Sequence, residues 1–189
     1  MIRRILCLGA VLLAACGERG EPGEPTTEMT AETIAMTDPA TDRARAEIRD
    51  AQGNSLGIVD LETTDAGVTL AGTLTGLPPG EHGFHIHETG LCEPPAFESA
   101  GAHFAPGGGR HGFHDPDGPH AGDLRNLLVA QDGSTLVDAA DSLVTLREGA
   151  NALLDADGSA LVVHAEPDDY RTQPSGDSGD RIACGVVEG

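Results

Sequence analysis

The chain contains no tryptophan, no lysine and a single tyrosine, Tyr170. So few rings leave Val, Leu, Ile and Ala to fill any core. Without lysine, all 11 basic residues are arginine, and they face 31 acidic residues for a formal net charge of −20. Such a chain is repelled by nucleic acid and by anionic membrane surfaces, so neither is expected as a partner, and the acidity reads as a solvated surface. Long apolar runs are missing too. Ile5 to Leu13 is too short to cross a bilayer as a stable helix. Beyond Ala44 no stretch sustains a helical apolar period over two turns, which argues against helices in the domain.

What the N-terminus does contain is an address. Arg3 and Arg4 precede the apolar run, and Ala14-Ala15-Cys16 supplies small residues for cleavage, as in an export signal. Leu13-Ala14-Ala15-Cys16 also has the form of a bacterial lipobox, with cleavage before Cys16 and a lipid on its sulfur. Residues 1–15 then read as a lipoprotein signal peptide. Residues 16–42, rich in Glu, Thr, Pro and Ala without a repeating apolar face, read as a lipid-attached acidic tether. Residues 43–189 are the domain. Met29 and Met36 in the tether read as incidental rather than as soft copper ligands. Export places the domain in an oxidising compartment, with the membrane touched only through the lipid on Cys16. Cys7 leaves with the signal and Cys16 carries lipid, so Cys92 and Cys184 are the pair expected to form a disulfide.

From Ala44 short alternating segments are separated by turn signals. Ala46–Ile48 and Leu56–Ile58 flank AQGNS, Val59 and Leu61 run into TTDAG, and Val68, Leu70 and Leu74 alternate before GLPPG. Later segments are Leu127–Val129, Leu136–Val137, Leu143–Val144, Ala160–His164 and Arg181–Val187. About eight antiparallel strands with Gly-rich turns predict an all-β fold, a β-sandwich or flattened Greek-key β-barrel of the immunoglobulin-like kind, with long loops.

Seven of the eight histidines lie between His82 and Asp123, and the eighth, His164, ends a late apolar strand. Between Thr89 and Pro119 there is no apolar periodicity, and a structureless loop of that length is usually functional or disordered. His85 and His87 flank Ile86, and residues two apart on a strand share a face, so two imidazoles can meet one ion. Taken singly, each residue has a plainer explanation: an exposed polar face for His85 and His87, a satisfied strand-end histidine for His164, a turn or cap for Asp123, a surface ion pair for Arg181. One metal cluster explains His85, His87, His103, His111, His120 and His164 together. Three imidazoles plus a carboxylate suit zinc, and four imidazoles suit copper.

With these residues in view, the chain resembles the copper-zinc superoxide dismutases of the bacterial periplasmic branch. The matching motifs are HGFHIHE at His82 to Glu88, AGAHF at Ala100 to Phe104, GRHG at Gly109 to Gly112 and PHAGDL at Pro119 to Leu124. LVVHAEPDD at Leu161 to Asp169 and RIACGVV at Arg181 to Val187 complete them, so the likeness covers Ala44 to Val187. The resemblance implies one copper and one zinc per subunit. His85, His87 and His164 would hold copper alone, His103 would bridge to zinc, and His111, His120 and Asp123 would complete the zinc site. Asp168 would hydrogen-bond one histidine of each metal, Cys92 and Cys184 would be the disulfide, and Arg181 would bind superoxide, the small anionic substrate. Monomer and homodimer both remain open. Gly17 after Cys16 points, by resemblance, to the periplasmic side of the outer rather than the inner membrane. An exported copper and zinc binding or delivery module without turnover is the alternative; the intact set of copper ligands and Arg181 favours the enzyme, and intact His111, His120 and Asp123 disfavour a copper-only variant.

His82 and His114 fall outside that ligand set and read as loop residues. The chain also departs from the family's common lysines around the copper channel, with only Arg110, Arg125 and Arg171 as candidate substitutes. With so little positive charge to steer an anion, the rate constant for superoxide should respond only weakly to ionic strength, and a steep fall with added salt would overturn that expectation.

Overall fold

The computed structural model describes residues 42–189. Nine strands follow in order: β1 (Arg43–Asp50), β2 (Ser55–Thr64), β3 (Gly67–Leu74), β4 (Gly80–His82), β5 (Phe84–His87), β6 (Leu127–Val129), β7 (Thr135–Asp141), β8 (Ala160–His164) and β9 (Arg181–Glu188). All their pairings are antiparallel. One sheet runs β5-β8-β9-β1-β2-β3-β7, and β4 pairs with β6 in a second. The turn from Ala130 to Ser134 joins β6 to β7, and Leu127 and Val129 of β6 pack in the same core as the long sheet. Except for a single turn of 3-10 helix at Glu98–Ala100, no helix occurs among the described residues.

Alternation decides which faces pack. In β1, Ala44, Ala46 and Ile48 are buried while Arg43, Arg45 and Glu47 point outward. Val59 and Leu61 of β2 and Val68, Leu70 and Leu74 of β3 join them in the main core. The first turn is shaped by Asp50, whose Oδ1 accepts the N–H of Gln52 at 2.9 Å and of Asn54 at 2.8 Å. Such side-chain closure of a turn is what Asp offers at the end of a strand.

β5 and β8 break the alternation because both of their faces are covered. Phe84, Ile86, Leu161 and Val163 enter the barrel core. Ala160 and Val162 pack on the other side against Phe97, Ala100 and Cys184. That second small core sits under the loop after β5, and the Cys92–Cys184 disulfide, 92 residues apart in sequence, ties this loop to β9. The outer face of β5 and β8 is thus a walled floor rather than a solvent surface.

Two expectations change in detail. Nine strands replace eight because β4 and β5 are split at Gly83, which leaves the β6 ladder for that of β8. The Gly83 N–H donates to Glu166 O at 2.8 Å, and its carbonyl accepts His164 N–H at 2.8 Å. A Cβ at Gly83 would come within 2.8 Å of Ser178 Cβ, so only glycine fits this corner. Leu143–Val144 forms no strand. Asp141 Oδ1 accepts the Leu143 N–H at 2.8 Å and turns the chain out of β7.

Cross-linking a loop of this length removes chain entropy from the unfolded state worth about 4.6 kcal/mol. Replacing Cys92 and Cys184 together by serine should lower unfolding stability by roughly that amount in urea titration; a change below about 1 kcal/mol would mean the bridge does not constrain the domain.

Candidate metal centre

The floor formed by β5 and β8 presents His85 and His87 two residues apart, opposite Val162 and Ala160 in register, with His164 at the end of β8. Arg181, the first residue of β9, pairs with His164. Two loop arms are stitched to β5 by backbone bonds. Ile86 N–H donates to Gly122 O at 2.8 Å, and Phe104 N–H to Ile86 O at 2.9 Å. These bonds place His103 beside His87 and Asp123 beside His85 as isolated bridges. Residues far apart in sequence are therefore brought to one place by strand pairing and not by local spacing alone.

Each histidine has one nitrogen fixed by the protein. His85 Nε2 lies 2.8 Å from Asp168 Oδ2, His87 Nδ1 3.0 Å from Gly101 O, and His164 Nδ1 3.2 Å from Gly179 O. His103 Nδ1 lies 2.8 Å from Asp123 Oδ1. The nitrogens left over are His85 Nδ1, His87 Nε2, His103 Nε2 and His164 Nε2. His85 Nδ1 and His103 Nε2 are buried with no hydrogen-bond partner, and His87 Nε2 and His164 Nε2 face each other at 3.4 Å.

A second group gathers on Asp123. Its Oδ1 is 2.8 Å from His103 Nδ1, 3.0 Å from His111 Nδ1 and 3.4 Å from His120 Nδ1, while its Oδ2 accepts the N–H groups of Gly112 and His120. His111 Nε2 turns instead to Asp168 Oδ1 at 2.9 Å. Two four-residue groups result, His85-His87-His103-His164 and His103-His111-His120-Asp123. In each the ligand atoms lie within 4.8 Å of one another, and His103 belongs to both. Asp168 spans the two from behind.

Buried polar atoms without partners are costly, and three of them, His85 Nδ1, His103 Nε2 and His120 Nδ1, belong to the two groups, where a cation would relieve them. Four imidazole nitrogens suit copper, and three with one carboxylate suit zinc. The electrostatics agree. Burial holds His164 down to about 3, helped by the neighbouring His85, and holds His103 down to about 4 despite the Asp123 hydrogen bond. Burial also opposes charge on His111, but the Asp123 and Asp168 carboxylates outweigh it and raise that residue to about 9. Asp168 stays well below the usual carboxylate range, because hydrogen bonds from His111 and His85 overcome its burial.

A cleft of about 480 Å³ opens onto the first group, lined among others by His87, His103, His164, Pro174, Ser175 and Arg181. Arg181 Nη1 donates to Phe97 O at 2.7 Å and Nη2 to Gly101 O at 2.6 Å, so its guanidinium is held in place by the disulfide-tied loop. Of the cationic side chains considered as substitutes for lysine, Arg110 bonds Asp115 and Arg125 lies over the Phe113 ring at 5.4 Å. Neither they nor Arg171 line the cleft.

The reading of His82 as a loop residue is corrected. It is buried in β4, with Nδ1 2.8 Å from His164 O and Nε2 2.8 Å from Pro78 O. It pegs the backbone of a cluster histidine 82 residues away. His114 stays in the loop, edge-on to Tyr170.

With the geometry in place, the comparisons with known proteins agree with one another. The description of the family "Copper/zinc superoxide dismutase (SODC)" matches residues 55–187. This chain belongs to that family. "Superoxide dismutase [Cu-Zn] 2" of Aquifex aeolicus is 45% identical over 147 residues, covering 77% of this chain and 86% of that relative. "Superoxide dismutase [Cu-Zn]" of Caulobacter vibrioides is 45% identical over 148 residues, 77% of this chain and 85% of the relative. Among solved structures, the Cu/Zn superoxide dismutase from Brucella abortus is 27% identical with a TM-score of 0.65, covering 78% of this chain and all (100%) of that one. A SOD-like protein from Bacillus subtilis is 40% identical with a TM-score of 0.72, covering 75% and 96%. Membership in the copper/zinc superoxide dismutase family accounts for the all-β barrel, and the family's two metals match the donor sets of the two groups.

Because Asp168 orients one imidazole of each group, Asp168→Asn should weaken binding of both metals by about 10- to 100-fold. Competition with a chelator measures this; unchanged affinity at both sites would show that ring orientation is set elsewhere.

Proposed function

We propose that the chain is a superoxide dismutase, converting two superoxide anions and two protons to dioxygen and hydrogen peroxide. The observation that carries the reading is the fixed, positively charged Arg181 in the same cleft as His87, His103 and His164, three of the four converging imidazoles. Copper, which His85, His87, His103 and His164 would hold, would supply one-electron exchange with superoxide.

The rest falls to the side chains. Arg181 keeps its charge at any physiological pH and draws the anion inward, since the carbonyl partners that hold it neutralise none of that charge. His103, with Nδ1 directed at Asp123, would accept a proton at Nε2 only when that nitrogen is free of the metal and would hand it to the reduced substrate, while solvent in the cleft would provide the second proton. His87 and His164, fixed through Nδ1, keep their other nitrogens turned to the same point. Zinc would take His103, His111, His120 and Asp123; four protein ligands leave no open position, which makes its role structural. Asp168 supports both groups.

We place this domain, residues 43–189, outside the cytoplasm. The disulfide between Cys92 and Cys184 supports an oxidising compartment. The signal at residues 1–15, the lipid on Cys16 and the acidic tether to residue 42 lie outside the described residues. We propose them on the lipobox alone, with the domain held on the periplasmic side of the outer membrane.

The test is superoxide consumption by the metal-loaded protein. His164→Ala should abolish turnover, and Arg181→Ala should lower kcat/KM by about 10-fold or more. Wild type as inactive as both variants would leave a metal-binding or delivery module in place of the enzyme.

A further inference from the structure

The loop between β8 and β9 grips the second histidine group at a point that the metal ligands do not include. Gln173, in that loop, forms a reciprocal pair with the backbone of His111: the His111 N–H donates to Gln173 Oε1 at 2.9 Å, and Gln173 Nε2 donates to His111 O at 2.9 Å. The same Nε2 donates to Arg171 O at 3.1 Å, which fixes the amide against its own loop. A side-chain amide thus replaces one rung of a β-ladder between two loops that share no strand. His111 itself is fully buried, with one ring nitrogen on Asp123 and the other on Asp168.

The fit around that rung is close. A Cβ on Gly176, whose φ is +70, would lie 1.7 Å from Asp168 Oδ1 and 2.7 Å from His111 Nε2. The turn that carries Gln173 is itself closed by Asp169, whose Oδ1 accepts the N–H of Arg171 at 2.8 Å and of Thr172 at 2.7 Å. Pro174 and Ser175, the next two residues, line the cleft that reaches His103 and His164. Gln173 therefore joins the backbone of a metal-group histidine to the wall of the cleft.

We propose that Gln173 is a positioning residue for the second metal group, holding His111 through its backbone so that bound metal is retained and the adjoining cleft wall keeps its shape. This rests on the reading of His111 as a zinc ligand. His111 can leave a bound ion only by moving its main chain or turning its ring. Asp168 and Asp123 oppose the ring motion, and the amide opposes the main-chain motion. Losing two neutral hydrogen bonds of ordinary strength corresponds to about a 30-fold change in a rate limited by that motion.

The experiment follows zinc release from the full, metal-loaded protein to a chromogenic chelator. Gln173→Ala should release zinc about 30-fold faster than wild type. Gln173→Glu, which keeps an acceptor for the His111 N–H but sets a carboxylate oxygen against two carbonyls, should also release it faster. Arg171→Ala leaves the Arg171 carbonyl in place and should match wild type. In cobalt-substituted protein the visible spectrum of Gln173→Ala should shift, a change that a role confined to fold stability would not produce. Release rates within twofold of wild type for both Gln173 variants would overturn the proposal. So would a metal-free Gln173→Ala whose melting temperature falls as far as that of the loaded form. A wild type that takes up no zinc would overturn the assignment of the site, and this inference with it, whereas normal zinc uptake with unaltered release would overturn this inference alone.

Discussion

Six imidazoles and two carboxylates packed out of water are the constraint on which this structure turns. Burial of so many polar groups is tolerable only when each has a partner. The protein supplies partners for about half of the ring nitrogens, through Asp123, Asp168 and the carbonyls of Gly101 and Gly179. Four of the others, His85 Nδ1, His87 Nε2, His103 Nε2 and His164 Nε2, converge, and two of these, His85 Nδ1 and His103 Nε2, are buried without a partner. The loops covering them place a few apolar side chains in the cores, Phe97, Ala100, Phe104, Ala121 and Leu124. A site of this kind does not exist in the unfolded chain, so metal binding would add to the stability of the folded loops.

The barrel contributes a floor whose two faces do different work. Phe84 and Ile86 anchor β5 in the core while His85 and His87, between and beside them, face outward. The alternation of a strand converts one rigid segment into both packing and ligation. Gly83 makes this arrangement reachable, because the chain changes partners there from β6 to β8 and brings the Gly83 carbonyl onto the N–H of His164. His82, one residue earlier, grips the carbonyl of that same His164. The main chain of His164 is thus held on both its N–H and its C=O before any metal is considered.

Much of this was legible in the sequence, and the parts that were not share a cause. The period-two spacing of His85 and His87, the alternation in β1 to β3, and the ordered motifs from HGFHIHE to RIACGVV carry information in short windows. The pairing of Cys92 with Cys184 was legible once export was inferred. The structural role of His82 was not, since its partners Pro78 O and His164 O are backbone atoms that no pattern marks. Gln173 escaped for the same reason: its contact with His111 spans 62 residues and uses main chain on one side. Leu143–Val144 reads as a strand from its apolar residues, but a single Asp141 carboxylate redirects the chain, which is turn chemistry overriding propensity.

The net charge poses a last question, since a chain at −20 must admit an anion. Charges on the far surface matter little here, because salt screens exposed charges beyond about 8 Å at physiological ionic strength. What counts is the sign inside the cleft. Arg181 is tied to two carbonyl oxygens, so it is positioned without being neutralised. Glu88, the acidic residue among the cleft's lining, spends Oε1 on the Ala102 N–H. A guanidinium fixed by neutral acceptors is a local solution to a global problem: it sets an undiminished cation against His87, His103 and His164 while the rest of the surface remains acidic.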